Sequence, residues 1–359
     1  MMVNLAPDFS NGSSVKDDAT CDIFDNSFPV KITKVVLFSI ILVTSLAGNI
    51  LIIIIVYKKQ ELRKTTNYFI VNMAVSDFVY PLQAIPFTMA QIVSGSPYWP
   101  IQGTEGLIFC KLGVYLRRVS AAVSGQSLVW IALDRFIAVV LPMKIHLISA
   151  RFRVFAIAFT WIVATTIHFI ELYAYELVEE NRGLLCTVSI DARSLYRTYG
   201  LVRLPLYIAP FIVMSILYCL IVLTLRRQDK VLRCAEEHQL VQRKQRAVKM
   251  SLCIMIANYI CSLPLLCVTL LWEYQKEVPC SLVRELSCFA YLLFFSSSTI
   301  NPIICMTFAK NYRSGLKQVC QSFWCHCSSK RHWNMEAGQH EEITLQHIQA
   351  ISRPRENTT

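Results

Sequence analysis

The sequence predicts an all-α membrane protein: a bundle of seven transmembrane helices followed by a short amphipathic eighth helix. Three observations carry that prediction. Of 359 residues, 54% are hydrophobic and only 16% charged, where a water-soluble chain carries about a quarter charged residues. The apolar residues are gathered into long runs separated by short charged stretches, the pattern a lipid solvent selects. The runs are also too long and too uniform for barrel strands, which take about 10 residues of alternating polarity. About 20 residues of helix cross a hydrocarbon layer of about 30 Å, and a helix pairs its backbone amides internally, as lipid requires.

The runs follow one another along the chain. Residues 35–57 are uncharged. Residues 67–93 hold a single charge, Asp77, and 107–140 carry Arg117, Arg118, Asp134 and Arg135. Residues 154–175 have His168 and Glu171 near one end. Residues 204–225 and 250–272 are free of charge, and 286–309 close the series. Beyond them Phe308, Tyr312, Leu316 and Val319 recur every three or four residues, with Lys310, Arg313 and Lys317 opposite. That is an amphipathic helix suited to a membrane surface. The organisation read from this is an N-terminal segment 1–34, a helical bundle 35–309, a surface helix 310–323 and a polar, disordered tail 324–359.

Charge sets the orientation. Lys58, Lys59, Arg63 and Lys64 follow the first run, Lys144, Arg151 and Arg153 the third, and Arg226, Arg227, Lys230, Arg233, Arg243, Lys244 and Arg246 the fifth. The alternate loops hold Glu105, Glu176, Glu179, Glu180 and Glu277. Basic loops stay in the cytoplasm, so the N-terminus lies outside. The net charge of +11 thereby reads as membrane topology, not as a nucleic-acid surface. No cleavable leader is expected, because the first residues lack an apolar core. On the outer side, Asn11 begins an Asn-Gly-Ser glycosylation triplet. The 14 cysteines divide between apolar runs, outer loops and tail, and so between two redox compartments. Cys21 with Cys280, or Cys280 with Cys288, is a pairing the outer segments allow.

Charges in lipid are costly, about 2.5 to 3.5 kcal/mol each at the centre of a span, so Asp77 and the Asp134-Arg135 pair need partners or a purpose. Pro210, Pro264 and Asn301-Pro302 interrupt the last three runs, freeing carbonyls that something must satisfy. Together, Gly48-Asn49, Asn72 with Asp77, Cys110, Asp134-Arg135-Phe136, Trp161, Cys186, Pro210 with Tyr218, Pro264 and Asn301-Pro302 resemble the rhodopsin-like G protein-coupled receptors. Each motif alone is weak; their order, one or two per run, is specific.

The resemblance implies a plasma-membrane receptor that binds an extracellular ligand and activates a heterotrimeric G protein, with arrestin as a further inner partner. It implies a disulfide between Cys110 and Cys186, and G protein contacts at Asp134, Arg135 and Tyr218. It implies palmitoylation at Cys320, Cys325 and Cys327. Asp77, Ser124, Ser298 and Asn301 match sodium-binding positions, with a hydrogen-bonded polar cluster as the other reading; sodium is the only cofactor in view.

The chain also departs from the family. Phe136 replaces a tyrosine, Asn258 and Ser262 stand where the sixth run usually has aromatic residues, Cys305 replaces the tyrosine after Asn301-Pro302, and Lys244 stands where some members have an acid. Raised basal activity is expected from these losses. For the ligand site, Arg117, Arg203, Gln83, Glu171 and Tyr291 are the expected set, with Arg117 and Arg203 attracting a carboxylate, or with Arg203 or Arg118 paired internally to Glu171. Arg117 disfavours an amine ligand, and no lysine in 286–309 could hold retinal. The outer loops lean toward a peptide. A seven-helix transporter or channel is the alternative; it would show internal repeats, and none is visible. No enzyme motif lies within the spans.

Overall fold

The computed structural model describes residues 27–180, 183–231, 235–274 and 280–321. In chain order they form α1 (Phe28–Lys58), a 3-10 turn (Gln60–Leu62), α2 (Thr65–Ser94), α3 (Gly103–Val140), a second 3-10 turn (Pro142–Leu147), α4 (Ala150–His168), α5 (Ile170–Ala174), β1 (Tyr175–Glu180), β2 (Gly183–Val188), α6 (Arg193–Val231), α7 (Ala235–Tyr274) and α8 (Cys280–Phe308). A last helix, α9, covers 310–321. The end of the bundle at which α1 and α3 finish and α2 and α4 begin is called the inner end.

The helix limits have local causes. Pro29 opens α1, where a missing N–H costs nothing. Gly95 closes α2 at φ 68°, a left-handed conformation that favours glycine. Pro142 follows α3, and the residue before a proline leaves the helical region. Ser149 caps α4, its Oγ accepting from the Phe152 N–H at 3.2 Å.

Among the described residues, six helical stretches are long and apolar enough to cross a membrane: α1, α3, α4 with α5, α6, α7 and α8. The seventh span is α2. It is less apolar because Thr66, Asn67, Asn72, Ser76, Asp77, Thr88 and Gln91 are on it, all buried. They face neighbouring helices, while Leu82 and Val93 point outward. Exposed Ile40, Val43, Ile162, Ile212, Ile216 and Ile260 on the other helices complete an apolar girdle that fits lipid. Gly48 lets α1 and α8 meet: a Cβ there would lie 2.9 Å from Pro302 Cβ.

The core has an inner part, with Ile52, Phe69, Ile131, Tyr218, Ile254 and Tyr312, and an outer part, with Phe38, Tyr80, Leu265, Tyr291 and Phe295. A third cluster gathers Cys110, Val114, Tyr175, Cys186 and Val188 under the hairpin.

The fold departs from the sequence reading in three places. Helices run past the apolar runs; α6 begins at Arg193 and α7 at Ala235, because hydropathy marks where a helix meets lipid, not where it ends. The fourth run breaks at Phe169 and passes into the antiparallel hairpin β1–β2, with Leu177 opposite Cys186. Phe308 belongs to α8 and is exposed; the buried face of α9 is Tyr312, Gly315, Leu316 and Val319.

Candidate functional site

Polar groups collect at three depths. At the outer end the Cys110–Cys186 disulfide, Cα–Cα 5.7 Å, ties β2 to α3. The Trp99 N–H donates to Leu184 C=O at 2.6 Å, and Trp99 stacks on Phe87 with ring centroids 4.6 Å apart. The hairpin is thus held over the bundle mouth from two sides. Cys288 is a free thiol, so the Cys280–Cys288 pairing does not form; Cys21 lies outside the described residues.

Below the hairpin, Glu171 is fully buried. It faces Arg118 Nε at 3.6 Å, Arg203 Nη1 at 3.4 Å and His168 Nδ1 at 3.8 Å. Tyr196 Oη donates to it at 3.0 Å. Arg203 is further framed by the rings of Tyr196, Tyr199 and Tyr207, a favourable place for a guanidinium. Of the two pairings open in the sequence, both Arg118 and Arg203 are made. Tyr196 and Tyr199 were not among the expected site residues; their spacing to Arg203 along one face of α6 was the available signal.

Arg117, Gln83 and Tyr291 lie apart from that cluster. Arg117 is half-buried with no hydrogen-bond or ion-pair partner among the described residues. Gln83 Oε1 is buried without a partner. Tyr291 is buried in the outer core beside Tyr80 and Phe295.

At mid-depth, Asn301 Nδ2 donates to Asp77 Oδ2 at 2.7 Å, and Ser124 lies near the same carboxylate. Asn258 Nδ2 donates to Asn301 Oδ1 at 2.9 Å, linking α7, α8 and α2. Ser298 Oγ accepts from Ser45 at 2.9 Å and itself donates to Phe295 C=O. Of the four sodium-matching residues, only Asp77 and Ser124 meet as oxygen donors. Asn301 presents its N–H to Asp77, and Ser298 is turned to Ser45 and Phe295. In this arrangement Asp77, Asn301 and Ser298 are engaged by hydrogen bonds to protein groups. Nearby, Trp161 Nε1 donates to Asn72 Oδ1 and Asn72 Nδ2 to Ser127 Oγ, both at 2.9 Å, joining α4, α2 and α3.

At the inner end Arg135 Nη2 donates to Asp134 Oδ2 at 2.8 Å, and Thr66 Oγ1 donates to the same oxygen. Arg135 Nε is buried without a partner. Tyr218 is buried near Ser251 of α7. Cys305 is buried in the inner core. Tyr312 Oη donates to Asn67 Oδ1 at 3.2 Å, and burial holds its phenol well above the usual range, so it remains a neutral donor. Cys320 is exposed near the end of α9; Cys325, Cys327 and Asn11 lie outside the described residues.

Comparison with known proteins agrees with this layout. Residues 48–304 match the family described as 7 transmembrane receptor (rhodopsin family). The chain is 26% identical over 312 residues to the RYamide receptor of Tribolium castaneum, covering 82% of each. It is 27% identical over 307 residues to the tachykinin-like peptides receptor 99D of Drosophila melanogaster, covering 81% of this chain and 57% of that one. To the neuropeptide FF receptor 2 of Mus musculus it is 29% identical over 311 residues, covering 79% and 72%.

Proposed function

The chain belongs to the rhodopsin family of seven-transmembrane receptors, and on that premise we propose that it responds to an extracellular peptide and activates a heterotrimeric G protein. It is a multi-pass plasma-membrane receptor and not an enzyme. The observation that carries the peptide reading is that similarity to receptors named for tachykinin-like peptides and for neuropeptide FF runs over most of the chain.

The N-terminus lies outside, which puts the hairpin mouth toward the ligand. Ligand enters under β1–β2 and meets α3, α6 and α8. The inner ends present Arg135, held by Asp134 and Thr66 while the receptor rests, with Tyr218 buried nearby. Releasing that arginine toward the G protein replaces a bond to one carboxylate oxygen with contacts to the partner, so the resting pair is both restraint and readout. Arrestin uses the same inner face. The surface helix rests on the inner leaflet, anchored by palmitate on Cys320, Cys325 and Cys327.

The test is nucleotide exchange on G proteins in membranes from cells expressing the full chain, challenged with a synthetic peptide library. A peptide that stimulates exchange, and fails to do so in Arg135→Ala receptors of equal surface abundance, is the expected result. Solute flux in sealed vesicles without any exchange response would replace the receptor reading with a transporter.

A further inference from the structure

Four polar side chains in the outer half of the bundle, on three helices, make no side-chain hydrogen bond to another described residue: Tyr80 and Gln83 on α2, Arg117 on α3 and Tyr291 on α8; Gln83 Oε1 is fully buried. They are close neighbours. Gln83 packs directly on α3, where a Cβ at Gly113 would collide with its Nε2, one helical turn above Arg117. Arg117 acts electrostatically on the phenols of both Tyr80 and Tyr291, and those two rings pack in one cluster.

The surrounding charges do not meet this need. The buried acid of the outer bundle, Glu171, already faces Arg118 and Arg203 at 3.6 and 3.4 Å, one carboxylate between two guanidiniums. Among the described residues no other buried acid lies in the outer part of the bundle to pair with Arg117. A half-buried cation without an ion-pair partner between transmembrane helices is costly, and such charges are retained where they meet something. The group is rich in donors, a guanidinium fork, two phenols and an amide nitrogen, and its fully buried, unpartnered atom is the acceptor Gln83 Oε1. That combination suits a carboxylate, which accepts only and binds a guanidinium through two parallel hydrogen bonds.

We propose that Arg117, with Gln83, Tyr80 and Tyr291, forms a subsite that takes a carboxylate of the ligand. It rests on the receptor reading only for the ligand being a peptide. The carboxylate belongs either to the C-terminus or to an acidic side chain. A C-terminal residue also offers the N–H beside its carboxylate, which Gln83 Oε1 can accept. Arg118 and Arg203 hold Glu171 and do not contribute.

The test needs no signalling, so its failure is separable from failure of the receptor reading. The full chain is purified and its melting temperature measured with millimolar N-acetylphenylalanine, a C-terminal carboxylate, against N-acetylphenylalanine amide. In parallel, N-acetylaspartic acid α-amide, a side-chain carboxylate, is set against N-acetylasparagine amide. At least one acid is expected to raise the midpoint above its amide partner by about 2 °C, and whichever does so names the source. That difference disappears in Arg117→Gln and is reduced in Arg117→Lys, which keeps the charge and loses the fork. Without ligand, Arg117→Gln melts no lower than the parent, because the guanidinium has no partner to lose. Equal effects of acid and amide, a difference that survives Arg117→Gln, or a ligand-free Arg117→Gln that melts several degrees lower would each overturn the proposal.

Discussion

Glu171 sits between Arg118, Arg203 and His168 with no exposed surface. Replacing it by Gln leaves two guanidiniums facing each other in a low-dielectric site, and a loss of about 3 kcal/mol is expected, read as a lower melting temperature of the purified receptor. Arg203→Gln added to Glu171→Gln should recover part of that loss, since it removes one of the stranded charges. The sequence brought these residues to one depth but could not choose among the pairings, because the choice depends on how α5 presents Glu171 to both α3 and α6. Asn258 is a second residue whose role needed coordinates. It is a departure from the family that reads in the sequence as a lost restraint, and in the structure it donates to Asn301 at 2.9 Å. Asn258→Leu strands the Asn301 carbonyl at a cost of about 1 to 3 kcal/mol and cuts a tie between α7 and α8. Ligand-free nucleotide exchange should then rise; an unchanged basal rate would show that the bond does not restrain the switch.

Among the elements, the seven spans and α9 were legible because lipid demands long apolar helices and a surface helix demands a helical stripe. The hairpin was not. Its strands lie against the end of an apolar run, and Tyr175 reads as the last residue of that run until the pairing with Val188 is seen. Since the disulfide is the covalent hold on β2, Cys186→Ser should cost about 2 to 5 kcal/mol, seen as reduced surface expression and a lower melting point. On α9, Tyr312 is 1% exposed and bonded to Asn67 of α2. Tyr312→Ala opens a cavity worth about 3 kcal/mol and should speed amide hydrogen exchange across 310–321 while sparing α3.

For the molecule as a whole, an odd number of crossings sends the two chain ends to opposite faces of the membrane. An epitope tag before residue 27 should be reached by antibody on intact cells, and one after residue 321 only once they are permeabilised. That topology is the one the loop charges imply. Why the bundle can change shape is not written in those charges, since it depends on how far each rod extends. α7 has 40 residues, with Pro264 well toward its outer end. From that proline to its first residue it reaches roughly 40 Å, so a tilt of about 10° at the hinge sweeps the far tip by roughly 7 Å. The short arm, from Pro264 to Tyr274, is about 15 Å long, so the same tilt moves its end by only roughly 2.6 Å, and a small displacement at the outer end is magnified about threefold at the inner one.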